Sequence, residues 1–189
     1  MMKDLIAESR SYRRFDEDVP VPMATLRELV VLARLSPSAA NRQPLKYMLI
    51  NDSKTNAKVF SCLAWAGYLQ GWGGPAEGER PTAYVLILCD TEIAKSAPVD
   101  EGIAAQSMML GAVEKGFGGC MLGAIDRQQL REFLSLPERY AISLVLALGK
   151  PAETVVIDPV GEDGDIEYWR DEEDVHHVPK RTLDELILT

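Results

Sequence analysis

Basic residues are the minority charge in this chain, and two places concentrate them. Between Ser9 and Phe15 the sequence runs Ser9-Arg10-Ser11-Tyr12-Arg13-Arg14-Phe15, with three arginines in five residues. A guanidinium presents a planar fork of donors that matches phosphate oxygens, and the Ser11 hydroxyl adds another donor. The competing reading is a solvated basic turn paired with Asp16, Glu17 and Asp18. Lys180-Arg181 is the second basic spot and a second candidate phosphate contact. Its competing reading is a surface pairing with Asp184 and Glu185. Between these spots lies Ser36-Pro37-Ser38-Ala39-Ala40-Asn41-Arg42-Gln43-Pro44. Its small residues let a ligand approach the backbone, and the amides of Asn41 and Gln43 each donate and accept. Such a loop can read the edge of a flat heterocycle. An ordinary surface connection has the same composition.

Other reactive types carry weaker signals. His176-His177 offers acid/base groups or ligands, but no cysteine or second histidine pair supports a metal, and a structural or exposed role is favoured. Cys62, Cys89 and Cys120 are far apart and odd in number, which argues for reduced thiols and a cytoplasmic protein rather than a disulfide framework. Gly116-Phe117-Gly118-Gly119-Cys120-Met121-Leu122-Gly123 could admit a ligand against the backbone, but its spacing is not a dinucleotide-binding fingerprint. Trp65 to Pro75 is aromatic and glycine-rich and turns polar through Pro81. It reads as a mobile loop, either walling a flat ligand or folding its aromatics onto the core or a subunit contact.

These groups need a scaffold, and the 189 residues suit one domain, 1–189. Residues 3–9 suit a short helix. Met23 to Leu35 places Met23, Leu26, Leu29, Val30 and Ala33 at helical spacing, and the Ser36-Pro37 boundary stops it. Strands are expected over Lys46 to Asn51, Tyr84 to Cys89 and Ala141 to Leu148, the last ended by Gly149-Lys150-Pro151. Helices are expected from Asp52 to about Leu63, from Asp100 to Lys115, from Asp126 to about Leu134 and over Leu183 to Leu188. Asp126 with Gln129 has capping-box spacing. The helix from Asp100 is apolar nearly all round, which calls for cover from the interior or from a second subunit. Ala152 to Asp174 reads as acidic and irregular. Composition is that of a globular chain, 47% hydrophobic and 26% charged. With 20 basic and 29 acidic residues the net charge is −9, which disfavours nucleic acid and anionic membrane as partners. No apolar run approaches the roughly 20 residues of a membrane span, and the N-terminus lacks a signal-peptide core.

Taken in order, five elements resemble the nitroreductase family of flavin-dependent NAD(P)H oxidoreductases. They are Arg-Ser-x-Arg-x-Phe from Arg10, Ser-Pro-Ser-x-x-Asn-x-Gln-Pro from Ser36, the apolar helix with Ala104-Ala105-Gln106, the turn Gly118 to Gly123, and the closing Pro179-Lys180-Arg181-x-Leu183-Asp184-Glu185-Leu186. The resemblance spans Ser9 to Ile187. It implies an α+β fold, with a mixed central sheet flanked by helices, and an intertwined homodimer with FMN at the subunit interface. It implies that Arg10, Ser11 and Arg13 meet the FMN phosphate and ribityl chain, with Lys180 and Arg181 as further phosphate contacts. Pro37, Ser38, Ala39, Asn41 and Gln43 would meet the ring and ribityl chain, and Leu122 and Gly123 would lie near flavin N5. Hydride would pass from NADH or NADPH through the flavin to a nitroaromatic or quinone-like acceptor in a two-step scheme, with no catalytic side chain. The same resemblance admits relatives that use reduced flavin for dehalogenation or flavin fragmentation, and a non-catalytic flavin-binding protein is the remaining alternative. Ser9 stands where many members carry a basic residue, and the segment from Trp65 to Arg80 falls where members differ most.

Overall fold

The computed structural model describes residues 1–188. Its organising element is a 12-residue strand, β5 (Tyr140–Pro151). On one side β5 pairs antiparallel with β3 (Ala83–Asp90), which in turn pairs with β2 (Leu45–Ile50). Its other side is shared by β4 (Gly118–Leu122), opposite residues 145–149, and by β1 (Phe15–Asp16), opposite Lys150 and Pro151. Every residue of β3 is buried. A strand covered on both faces needs no polar alternation, which is why Tyr84 to Cys89 reads as one apolar run.

Side chains of these strands alternate between two cores, as the two-residue strand period requires. Val85, Ile87, Leu146 and Leu148 pack with Leu26 and Leu29 of α2 (Met23–Leu35) and Met108 of α4 (Pro98–Glu114). Tyr84, Leu86 and Val145 point the other way, with Val59 of α3 (Ser53–Ser61), Leu130 of α5 (Arg127–Leu134) and Trp65. The short α1 (Met2–Glu8) precedes β1. Asp126 caps α5 as its spacing suggests, accepting from the Gln129 N–H at 3.0 Å.

The α+β class and the flanking helices agree with the sequence. The main ladders are antiparallel, and parallel pairing enters at an isolated Ser11–Gly119 bridge and in a second, small sheet. That sheet corrects the expectation of irregular structure over Ala152 to Asp174. β6 (Val155–Pro159) runs parallel to β8 (His176–Lys180), which also pairs antiparallel with β7 (Trp169–Arg170). The partner of β6 lies about 20 residues further on, and its acidic, half-exposed surroundings show no alternation to detect. Gly149-Lys150-Pro151 does not end β5 either. A Cβ on Gly149 would stand 2.8 Å from the Phe15 ring, so the glycine lets β1 pack against the strand. The chain closes with α6 (Leu183–Leu186).

β4 lies tight against β5, and glycine makes that approach possible. A Cβ on Gly119 would come within 2.2 Å of the Ala147 carbonyl oxygen on β5, while one on Gly123 would meet nothing within 4 Å. Gly119→Ala is therefore expected to cost about 1–3 kcal/mol, lowering the melting temperature by roughly 2–4 °C per kcal/mol. Gly123→Ala should melt like the wild type. Equal melting temperatures for the two variants would contradict this packing.

Candidate functional site

Leaving α1 at Ser9, the chain runs beside β4 through the Ser11–Gly119 bridge and a Tyr12 N–H donated to the Gly119 carbonyl at 3.0 Å. This path lays Arg10, Ser11 and Arg13 along one wall of a cavity of about 300 Å³. From the far end of the chain, β8 brings His176, Val178 and Lys180 to the same cavity, and Gln106 and Met109 of α4 complete one side. Its charged lining is Arg10, Arg13 and Lys180, with no carboxylate among the described residues.

Arg13 is the most constrained of these cations, with 8% of its surface exposed. Its Nη1 donates to His176 Nε2 at 2.9 Å and to the Ser11 carbonyl at 3.3 Å, and its guanidinium lies 4.5 Å over the Tyr168 ring. Glu153 is close but fixes the backbone instead. One carboxylate oxygen accepts the Arg13 and Arg14 N–H groups, and the other takes Arg170 at 2.8 Å. Arg10 donates Nη2 to the Ile6 carbonyl at 2.6 Å. The Nε–H groups of Arg10 and Arg13 are buried without a partner among the described residues. A buried donor costs free energy until something accepts from it, and a multi-oxygen anion is the ligand such a cavity suits. Burial, then the Arg13 and Arg170 charges, push His176 down to about 4, so it is neutral near pH 7.

The amide loop is built separately. Asp100, buried in the first turn of α4, accepts from the Ser38 hydroxyl and, at 2.9 Å, from the Ala39 N–H. The Gln43 N–H donates to Ser38 Oγ at 2.9 Å. Ala40, Asn41 and Gln43 have φ of 49°, 54° and 50°, a left-handed region that costs non-glycine residues energy. Gln43 Nε2 donates to Asn41 Oδ1 at 3.1 Å, so the two amides are tied to each other on an exposed bend. Pro37, Ser38 and Gln43 line a 260 Å³ cavity with Tyr47, and Ala39 lines a neighbouring one of 340 Å³ with Arg42. Neither shares a residue with the cation-lined cavity. Leu122 is buried and Gly123 exposed at the end of β4.

One expected phosphate contact stands apart. Arg181 does not line the cation cavity; its Nη1 faces Glu185 at 3.4 Å. Thr182 caps α6 and Glu185 reaches back to the Thr182 N–H, and this capping box holds the carboxylate beside Arg181. The aromatics of the 65–80 segment all have ring or guanidinium partners, with Trp65 buried, Trp72 half-buried and Tyr68 still exposed. Trp65 is in the core with the Phe60 ring 5.7 Å away, Trp72 lies under Arg170 at 4.7 Å, and Tyr68 meets Tyr168 at 4.9 Å. Asp100, Gln106, Glu153, Tyr168 and His176 were not expected at these sites. For Gln106 the Ala-Ala-Gln helix was a usable signal. The others have none in local sequence.

The description "Nitroreductase family" matches residues 6–69 and 79–150, which takes in the whole arginine element, the amide loop and the β4 turn. The chain belongs to the nitroreductase family. The break in the match falls inside the glycine-rich segment, and β8 lies beyond its end. Nitroreductase relatives include an NADPH-flavin oxidoreductase of Vibrio harveyi, 35% identical over 173 residues, covering 82% of this chain and 68% of that protein. An NADH dehydrogenase of Thermus thermophilus is 28% identical over 189 residues, covering 80% and 87%. The solved structure of a nitroreductase family protein from Streptococcus pneumoniae superposes with a TM-score of 0.74 over 100% of both chains at 16% identity, which establishes the fold.

The small sheet that delivers His176 to the cavity has a titratable brace on its other side. His177 sits between Asp158 at 2.7 Å and Asp171 at 3.1 Å and stacks on Trp169 at 4.1 Å. Hydrogen bonds to Asp171 and then Asp158 raise its pKa above 6.5. A raised folded pKa contributes stability that is complete below about pH 6.5 and is lost as pH climbs through the folded value. Thermal melting is expected to show a downward limb above about pH 6.5 in the wild type and not in His177→Gln. A limb of equal size in both would remove His177 as its source.

Proposed function

We propose that this chain is an FMN-dependent oxidoreductase. It would take hydride from NADH or NADPH and reduce a small flat acceptor such as a nitroaromatic or quinone, as a homodimer with flavin sites between subunits. The observation that carries this reading is the cavity lined by Arg10, Arg13 and Lys180 with no carboxylate, in a chain of net charge −9. A phosphomonoester fits it, since its oxygens would accept the buried Nε–H groups and balance the converging charge. Bound FMN would supply the hydride chemistry at N5. The names of the Vibrio and Thermus relatives support flavin and nicotinamide use without choosing between NADH and NADPH.

Arg10, Ser11, Arg13 and Lys180 would hold the phosphate. Pro37, Ser38, Ala39, Asn41 and Gln43 would meet the ring and ribityl chain, beside Leu122 and Gly123. Asp100 would keep the bend in its strained form before the ligand arrives, so less ordering is needed on binding. Two copies are invoked because, in one chain, the amide bend and the cation cavity line separate spaces. Leu183, Leu186, Ile187 and Leu188 at the C-terminus, with Val31 and Leu35 of α2, leave apolar surface for a partner to cover. No side chain would act as nucleophile. The protein's part is to orient the ring and exclude water from one of its faces.

The purified protein is expected to be yellow, or to become so on reconstitution with FMN, and to oxidise NADH or NADPH when a quinone is supplied. A colourless protein that cannot be reconstituted would end the proposal. Arg10→Ala and Lys180→Ala should each weaken FMN binding by about 1.5–3 kcal/mol, read as a rise in the dissociation constant by flavin fluorescence. Unchanged affinity in both would refute the phosphate assignment.

A further inference from the structure

Arg14, Arg139 and Arg170 each face a carboxylate. Arg14 meets Asp174 at 3.2 Å and Glu79 at 3.4 Å, Arg139 meets Asp90 at 2.7 Å, and Arg170 meets Glu153 at 2.8 Å. Arg13 is more deeply placed and has an imidazole instead, His176 Nε2 at 2.9 Å. An arginine has only donors, so Nε2 must accept and the ring proton must sit on Nδ1. His176 is fully buried, with the Tyr168 ring 5.3 Å away. That ring also underlies the Arg13 guanidinium, so Arg13 is held between an aromatic face and a nitrogen lone pair.

We infer that His176 is a positioning residue of the phosphate site, a neutral acceptor that aims Arg13 into the cavity without cancelling its charge. This rests on the phosphate reading of the cavity given above. A carboxylate at the same place would hold the guanidinium equally well, but it would place an anion beside the ligand's own negative charge. Imidazole supplies the hydrogen bond and no net charge, since burial and the flanking arginines keep it unprotonated near pH 7. A bare apolar residue would leave only the Tyr168 ring and the longer Ser11 carbonyl contact, at 3.3 Å, to orient the guanidinium. The Nδ1–H, buried without a partner among the described residues, is the cost of this orientation.

The test compares FMN with riboflavin, which lacks the phosphate, on full-length protein stripped of flavin. Dissociation constants are measured by fluorescence at pH 7.5 for wild type, His176→Gln and His176→Glu, with melting temperatures recorded alongside. Wild type should prefer FMN, and His176→Gln, whose amide oxygen can replace Nε2, should keep that preference within about threefold. His176→Glu should lose roughly tenfold or more of it, with riboflavin affinity little changed. If His176→Glu does not fold, His176→Leu removes the acceptor without adding charge and should reduce the preference in the same direction. A wild-type ratio in the Glu or Leu variant, or an equal loss in Gln and Glu, overturns the inference and leaves His176 as a space-filling residue. Absence of any FMN preference in the wild type is a different outcome. It refutes the phosphate reading itself and takes this inference with it.

Discussion

Positive charge gathered without a counter-charge is the constraint on which the rest of this molecule depends. Arg10, Arg13 and Lys180 face one cavity, and Glu153, close to Arg13, is already committed to two backbone N–H groups and to Arg170. Two like charges about 8 Å apart at an effective dielectric near 20 repel by about 2 kcal/mol. The folded chain tolerates this because backbone pairing outside the cavity pins both segments that carry the cations. β4 holds the N-terminal strand through Gly119, and the small sheet holds β8. A ligand with several negative oxygens would convert that repulsion into attraction, which is the physical basis of the phosphate site proposed for this cavity.

The fold distributes the remaining work. β5 is long enough to seat β3 along one edge and both β4 and β1 along the other, so the arginine element and the glycine turn share one boundary. α4 links the two candidate half-sites through different residues. Asp100 in its first turn anchors the amide bend, and Gln106 and Met109 further along face the cation cavity. One rigid helix therefore sets the distance between the half-sites on a chain. A second subunit would have to match that distance to complete either one.

Local pattern made part of this legible. Apolar residues at helical spacing bounded α2 at Met23 and Leu35, and the unbroken run from Tyr84 to Cys89 marked β3 as a covered strand. Residue type marked Arg10, Ser11, Arg13 and Lys180 as candidates, and the structure places them around one cavity; residue type alone did not separate that arrangement from a solvated basic turn. Pairing between distant segments was not legible. β6 finds its partner about 20 residues on, and nothing in His176-His177 tells which ring turns inward to Arg13 and which outward to Asp158 and Asp171. In this structure Arg181 follows the competing reading of its segment, a surface pairing with Glu185. Thr182 and Glu185 have capping-box spacing in plain sight, and that box draws the guanidinium away from the cavity that Lys180 lines.

The most direct measurement is a crystal structure of the protein grown with FMN, with the phosphorus located in the electron density. The account predicts phosphate oxygens within hydrogen-bond distance of Arg10, Arg13 and Lys180 of one chain. It predicts the ring against residues 36–43 of a second. Phosphate bound away from that cavity, or a ring and phosphate both held by a single chain, would contradict it.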